Sequence, residues 1–154
     1  MNSPKRILVP TDFSAQAEAA LNYGKMLAET CGASLLVLHV IEDPLPGFKM
    51  PDGVCPIKAI KKQLESESAE QLEKLLTSEE RQKFRAELTA EWGIPYAKVL
   101  EFASTRQADL IVMGTHGRGL AGHLLLGSVA EKVVRKAPCP ALTVHITGRQ
   151  FVHS

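Results

Sequence analysis

The sequence predicts an α/β fold: an open, doubly wound parallel sheet with helices on both faces. Two observations predict it. Short apolar runs, such as residues 7–9 and 35–41, alternate along the chain with segments whose apolar residues recur at helical spacing. These two runs are also nearly continuous, which is typical of strands covered on both sides. Right-handed crossover connections favour a doubly wound strand order. Such sheets bind ligands at the carboxyl ends of their strands, where the strand order reverses.

The first two helices are predicted from their apolar spacing and their ends. Between the two apolar runs, small and apolar residues repeat at helical spacing from Ala17 to Cys31. Ser14 is the expected N-cap of this helix, and Gly32 is the expected stop. A second amphipathic helix is predicted over residues 56–76, with Ile57, Ile60, Leu64, Leu72 and Leu75 on its apolar face.

The second half of the chain repeats the alternation of strands and helices. Its predicted elements are a strand at 86–92, a helix opened by Pro95, a buried strand at 109–113, a helix over 129–137 ended by Pro138 and Pro140, and a strand at 141–146. The first of these strands alternates apolar and polar residues, so we expect it to have one wet face and to lie at an edge of the sheet.

Length and charge exclude several classes of partner. The chain has 154 residues, and its 18 Lys and Arg against 17 Asp and Glu give a net charge of +1. This length suits one domain spanning 1–154, and the near-neutral charge offers no field to hold nucleic acid or an acidic membrane. The apolar runs are too short for a membrane span or a signal peptide. The three cysteines are odd in number and lack CxxC spacing, so neither a disulfide framework nor a zinc site is indicated. We therefore expect a soluble, cytoplasmic protein without nucleic-acid or membrane partners.

The glycine-rich stretch at residues 114–128 is the most informative part of the sequence. It lies between a predicted buried strand and a helix, and its five glycines permit positive φ angles and close approach of a ligand. Gly127 and Ser128 stand where the helix begins, so unpaired N–H groups and the positive end of the helix dipole would face an anion there. The Ser128 hydroxyl would add a donor. The alternative is a connecting loop whose glycines serve turns only.

Two familiar motifs do not explain this stretch. Residues 117–122 match G-x-G-x-x-G, but they follow a late strand, and no acidic residue lies about 20 positions further on to bind a ribose. Gly122, Gly127 and Ser128 have the spacing of a Walker A loop without its lysine. Phosphates would therefore be held mainly by backbone amides, helped by Arg118.

The pattern Gly114-x2-Gly117-x9-Gly127-Ser128 resembles the nucleotide-binding signature of the universal stress protein family, in its ATP-binding branch. The resemblance covers nearly the whole chain and includes residues 7–14, 38–40 and 108–117. It implies a Rossmann-like fold of the adenine nucleotide alpha hydrolase type. In that fold, five parallel strands carry helices on both faces and ATP binds at the carboxyl ends of the strands.

The resemblance also implies which residues form the site. Adenine and ribose would be surrounded by Pro10, Thr11, Asp12 and Val40. Ribose and phosphates would be lined by Met113, Gly114, His116, Gly117 and Arg118. The phosphate chain would be cradled by Gly127, Ser128, Val129 and Ala130. Family members often have Thr or Ser at the place of Ala130, so one hydroxyl contact is missing here.

Several residues have alternative readings. Asp12 either accepts a hydrogen bond from an amine or a ribose hydroxyl, or only helps to start the helix around Ser14. His116 and His123 lack the spacing and the partners of a metal pair, so any Mg²⁺ would come with the nucleotide, held by its phosphates. We expect His39 to be a satisfied core or crevice histidine, not a catalyst, and Cys139 to be a packed thiol, not a nucleophile.

The final strand predicts a partner. Leu142, Val144 and Ile146 share one face of it, and in the family's usual strand order it ends the sheet. Neither a run of charge nor a proline inside the strand protects that edge, which favours pairing with another chain. We therefore predict a homodimer in which the strands at 142–146 meet in antiparallel fashion, in agreement with the resemblance.

The leading hypothesis is an ATP-binding universal stress protein that acts as a nucleotide-responsive regulatory dimer. Hydrolysis would be slow or absent, because no carboxylate of the loop is placed to position water and no Walker lysine neutralises the leaving phosphate. One alternative is a slow ATPase or an ATP-using enzyme of the wider superfamily. The resemblance implies that such enzymes have a phosphate loop of serine and glycine directly after the first strand. Residues 10–14 stand at that place and contain no glycine, which argues against an ATP-using enzyme. Another is a nucleotide-free interaction module, which the intact signature disfavours.

Overall fold

The computed structural model describes residues 2–44, 56–116 and 126–146. Strands and helices alternate as predicted. In chain order they are β1 (Arg6–Pro10), α1 (Ala15–Cys31), β2 (Ser34–Ile41), α2 (Pro56–Leu75), α3 (Ser78–Lys83), β3 (Glu87–Trp92), α4 (Pro95–Thr105), β4 (Leu110–Gly114), α5 (Ser128–Lys136) and β5 (Ala141–Val144). The predicted residues Gly117, Arg118 and His123 lie outside the described residues.

The five strands form one parallel sheet in the order β3-β2-β1-β4-β5. From β1 the chain moves outward to β2 and β3, and then it crosses to β4 and β5 on the other side. The direction of winding therefore reverses between β1 and β4, and the predicted doubly wound arrangement is confirmed. The strand β3 lies at one edge and β5 at the other, as predicted for both.

Two apolar layers cover the two faces of the sheet. One layer packs α1, α2 and the residue Phe84 against Ile7 and Val9 of β1. The other packs α4 and α5 against Leu8 and Leu38. Neighbouring residues of β1 face opposite layers because side chains alternate along a strand. This double coverage explains the continuous apolar runs of the sequence.

The predicted helix ends are present. The Ser14 hydroxyl accepts a hydrogen bond from the N–H of Ala17 at 3.2 Å and caps α1. Gly32 ends the same helix in the left-handed conformation, with φ of 67°, a backbone state that glycine adopts without steric cost. Pro95 is the first residue of α4, where its missing N–H removes no helical hydrogen bond.

Two elements differ from the prediction. The short helix α3 was not predicted, because six residues are too few to show a helical period. Its start is fixed by a capping box in which Thr77 and Glu80 each accept a backbone N–H of the other. The strand β5 ends at Val144 and leaves out His145 and Ile146, because its partner β4 ends at Gly114, which pairs with Val144.

Candidate functional site

A cavity of about 580 Å³ opens at the carboxyl ends of the strands. Its volume lies within the range of small-molecule pockets, roughly 300–1,000 Å³. Every predicted site residue that the structure describes lines it: Pro10, Thr11, Asp12, Val40, Met113, Gly114, His116, Gly127, Ser128, Val129 and Ala130. Residues that are far apart in the sequence thus meet at the point where the strand order reverses.

The turn from β1 into α1 is held by its own side chains. The N–H of Thr11 donates to the carbonyl of Leu38 at 2.8 Å, and the Thr11 hydroxyl accepts the N–H of Phe13 at 3.0 Å. Asp12 Oδ1 accepts the N–H of Ser14 at 3.0 Å. Asp12 therefore helps to start α1, which is one of the two roles that the sequence suggested for it. It also lines the cavity.

His39 is a satisfied crevice histidine, as predicted. Its Nδ1 lies 2.8 Å from the carbonyl oxygen of Thr11. Because a carbonyl oxygen only accepts, Nδ1 carries the proton of this hydrogen bond. The ring also contacts Phe13, with centroids 4.4 Å apart. Phe13 has a φ of 64°, which is unfavourable for a bulky residue, and the His39 contact helps to hold it there.

The start of α5 faces the cavity without a side-chain cap. Gly127 is the N-cap residue and makes no side-chain capping bond. Its N–H donates to the carbonyl of Thr115 at 2.6 Å, so it is used by the fold and is not available to an anion, contrary to the prediction. The N–H groups of Ser128, Val129 and Ala130 have no backbone acceptor within the described chain. These three N–H groups form a positive helix end that suits an anion.

Gly114 has a packing role that the sequence did not reveal. A Cβ built on it would lie 3.0 Å from the Cβ of Gln16 and 3.1 Å from its backbone carbon and oxygen. We predicted that the glycines of this stretch give a ligand access to the backbone. At Gly114, which lines the cavity, the bare backbone also lets α1 approach β4, and no positive φ is involved.

A threonine joins two histidines beside the cavity. The Thr115 hydroxyl oxygen lies 3.1 Å from Nδ1 of His116 and 3.1 Å from Nδ1 of His145. A hydroxyl has one proton, so it donates to at most one ring, and at least one ring donates its own Nδ1–H. Thr115 and His116 are buried, whereas His145 follows β5 and is exposed. Sequence reasoning missed this link, because His145 was placed inside a strand.

Helix α2 also lines the cavity, through Leu64, Glu67, Ser68 and Gln71. The sequence did not predict these lining residues, because polar and charged side chains on an amphipathic helix are typical of its solvated face. The available signal was the gap in the apolar series between Leu64 and Leu72, where Ser68 stands.

Cys139, which does not line the cavity, was predicted to be a packed thiol. Cys139 is half-buried, and this burial, followed by the nearby Asp109 carboxylate, raises the pKa of its thiol. A raised pKa disfavours the thiolate, in agreement with a packed thiol.

Within residues 2–44, 56–116 and 126–146, no group of three His, Cys, Asp or Glu is placed to hold a metal ion. Over the same ranges no helix has the length and apolar character to cross a membrane.

Comparison with known proteins identifies the family. A sequence model of the universal stress protein family matches residues 4–145. The chain belongs to the universal stress protein family. A universal stress protein of Thermus aquaticus is 38% identical over 141 residues, which cover 91% of this chain and 98% of the relative. The universal stress protein MJ0577 of Methanocaldococcus jannaschii is 31% identical over 152 residues, covering 91% and 94% of the two chains.

Solved structures agree with this assignment. The structure of MJ0577 superimposes with a TM-score of 0.78 at 28% identity, over 97% of this chain and all of that one. Two other universal stress proteins share the fold at lower identity. One, in complex with cAMP, has a TM-score of 0.66 at 20% identity and covers 94% of this chain and 99% of its own. The other, from Archaeoglobus fulgidus in complex with dAMP, has 0.62 at 24% and covers 93% and 98%.

Proposed function

We propose that this universal stress protein is a single cytoplasmic domain that binds ATP in the cavity and acts as a nucleotide-responsive regulatory homodimer in stress response. The observation that carries the proposal is the uncapped start of α5, which opens into a cavity lined by every described residue of the predicted site. The two universal stress proteins of this fold that are described in complex with cAMP and dAMP support an adenine nucleotide as the ligand.

The proposed pose follows from the two ends of the cavity. The phosphates lie at the start of α5, where the Ser128 hydroxyl and the N–H groups of Val129 and Ala130 face them. Gly117 and Arg118, outside the described residues, complete the phosphate side. Adenine and ribose lie over the ends of β1 and β2. Any Mg²⁺ is held by phosphate oxygens and water, because the described lining residues offer no cluster of metal ligands.

In this proposal ATP is a bound ligand, and its hydrolysis is slow or absent. The described residues that line the cavity include no lysine and no arginine, so no ammonium or guanidinium group among them neutralises a leaving phosphate. The Asp12 carboxylate at the edge of the cavity already holds the N–H of Ser14. The alternatives remain a slow ATPase and a nucleotide-free interaction module.

Mass analysis of small molecules released from the purified, denatured protein tests ATP binding, followed by calorimetric titration with ATP. We expect an adenine nucleotide in the released fraction and a saturable heat of ATP binding. A protein that releases no nucleotide and gives no heat with ATP contradicts the proposal. If the protein releases phosphate from ATP no faster than uncatalysed hydrolysis does, the ligand role is supported. Steady turnover of ATP above that rate supports the ATPase alternative.

A substitution at the start of α5 tests the phosphate position. Gly127 has φ of −62° and ψ of 161°, a conformation open to any residue, so Gly127→Val keeps the backbone unstrained. Its branched side chain would occupy the space of the phosphates, and we expect ATP affinity to fall at least tenfold in calorimetry, or about 1.4 kcal/mol. Unchanged affinity in a folded variant would show that the phosphates lie elsewhere.

A further inference from the structure

The inward face of α2 changes character along its length. Near its C-terminus, Leu72 and Leu75 pack into the apolar layer that covers α1 and the sheet. One to two turns earlier, where the helix passes the cavity, the lining residues are Leu64 and three polar residues, Glu67, Ser68 and Gln71. Their i, i+1 and i+4 spacing puts Glu67 and Gln71 on one side of the helix with Ser68 beside them. A helix in contact with a core normally stays apolar on this face.

Ser68 is the buried centre of this polar group. Only 5% of its surface is exposed, yet it lines the cavity. Among the described residues, the buried side-chain atoms without a hydrogen-bond partner are Oε1 of Gln16 and Nε of Arg81, so the Ser68 hydroxyl is not a buried orphan. Because Ser68 lines the cavity, its hydroxyl can donate a hydrogen bond to a ligand group there or accept one from it.

The sheet determines which part of a nucleotide reaches α2. The proposed phosphate position lies beside β4, where α5 begins. Helix α2 packs on β2 and β3, which are two and three strands away from β4. Adjacent strands are about 4.8 Å apart, so the two ends of the cavity are separated by roughly 10–14 Å. A nucleotide with its phosphates at α5 therefore turns the opposite end, its base, toward α2.

We propose that Glu67, Ser68 and Gln71 of α2 contact the base of the bound nucleotide and favour a base that donates a hydrogen bond there. This inference rests on the proposed function. A carboxylate only accepts hydrogen bonds, and Glu67 is steadied by the amide of Gln63, which donates to its Oε1 at 3.0 Å. A purine with an amino group at position 6 offers a donor to this face. A 6-oxo purine has an acceptor at position 6, which the carboxylate repels, and its donor stands at N1 instead.

ATP and inosine triphosphate, whose bases differ in the group at position 6 and in the proton on N1, test the role of Glu67. The full chain is titrated with each nucleotide by calorimetry, and the ratio of the two affinities is the readout. Wild type is expected to prefer ATP. In Glu67→Gln the amide can donate as well as accept, so we expect the preference to fall at least threefold. Glu70→Gln removes the same charge from an exposed position of α2 outside the cavity lining and should leave the ratio unchanged.

Ser68→Leu tests the position of the base by filling this end of the cavity. ATP affinity should fall at least tenfold, while affinity for inorganic tripolyphosphate, which has no base, should stay within twofold. Ser66→Leu makes the same change at an exposed position outside the cavity lining and should alter neither. If circular dichroism shows that Ser68→Leu is unfolded, Gln71→Leu decides instead, since Gln71 is exposed and tolerates substitution.

The outcomes separate the two proposals. An unchanged ATP affinity in folded Ser68→Leu or Gln71→Leu, or equal preference ratios in Glu67→Gln and Glu70→Gln, overturns the role of α2 while wild type still binds ATP. Equal losses of ATP and tripolyphosphate affinity also overturn it, because they indicate a general distortion of the cavity. Failure of wild type to bind any adenine nucleotide overturns the proposed function itself.

Discussion

Several residues that line the cavity also hold the fold together. The Asp12 carboxylate accepts the N–H of Ser14, and the His39 ring contacts Phe13. A substitution at such a residue changes stability and binding together. Binding tests are therefore best placed at residues whose fold contacts are few, such as Ser128 or Gln71.

Gly114→Ala separates the packing role of this glycine from a role in binding. The added Cβ would meet the backbone of Gln16 at 3.1 Å, which is tighter than ordinary van der Waals contact, so α1 has to shift away from β4. Overpacking of this kind costs about 1–3 kcal/mol, and we expect the free energy of unfolding to fall by that amount in chemical denaturation.

The same variant tests the earlier reading of Gly114 as an opening for the ligand. A binding role predicts lost ATP affinity with unchanged stability, whereas a packing role predicts lost stability with ATP affinity changed less than in Gly127→Val. Unchanged stability of Gly114→Ala would therefore contradict the contact with Gln16.

At the scale of elements, two ion pairs tie α3 to α1: Glu80 with Lys25, and Lys83 with Glu29 at 2.6 Å. Glu80 Oε2 lies 2.7 Å from Nζ of Lys25, and Oε1 of the same carboxylate accepts the N–H of Thr77. The Lys25 hydrogen bond, followed by the Thr77 N–H, lowers the pKa of Glu80 below its ordinary value of 4.5. A lowered pKa in the folded state stabilises the fold above pH 4.5, and this contribution is lost as the pH falls through the folded pKa.

Glu80→Gln isolates the charge of this contact, since glutamine can keep the capping box. We expect the variant to be less stable at pH 7 by under about 1 kcal/mol, as for partly exposed ion pairs, and the difference to shrink below pH 4. Denaturation with urea at several pH values measures it. Glu79→Gln, one residue earlier on an exposed position, serves as the control and should show a smaller dependence on pH. A difference that grows toward acid would contradict the assignment.

The elements that sequence predicted well are those whose pattern is local. The Ser14 cap, the Gly32 stop and the Pro95 start are each written in one or two residues, and the buried strands in continuous apolar runs. Where an element depends on a distant partner, prediction failed. β5 stops at Val144 because β4 ends, and Ser68 lines the cavity because α2 crosses the ends of β2 and β3. The first fact has no local signal, and the second shows locally only as the gap in the apolar series of α2 between Leu64 and Leu72.

At the scale of the whole molecule, β5 ends the sheet and pairs on one side only among the strands that the structure describes. Its N–H and C=O groups alternate in direction along the strand. Pro140 and Val144 turn their carbonyls to β4, where they accept the N–H groups of Ile111 at 2.9 Å and Thr115 at 3.1 Å. The backbone of Thr143 therefore points away from the sheet. Leu142 is exposed beside it, so this edge suits pairing with a second copy.

Thr143→Pro tests the proposed homodimer at this edge. Proline removes the outward N–H and adds a ring where a partner strand would pair, but it takes no hydrogen bond from β4, and proline is tolerated on edge strands. We expect light scattering at micromolar concentration to give a dimer mass for wild type and a monomer mass for the variant. Thr143→Val keeps the N–H and should remain dimeric. A monomeric wild type would contradict the homodimer, and a dimeric Thr143→Pro would place the interface on another surface.

Since His145 follows β5 and shares Thr115 with His116 of the cavity, we also expect bound ATP to shift the monomer–dimer equilibrium of wild type.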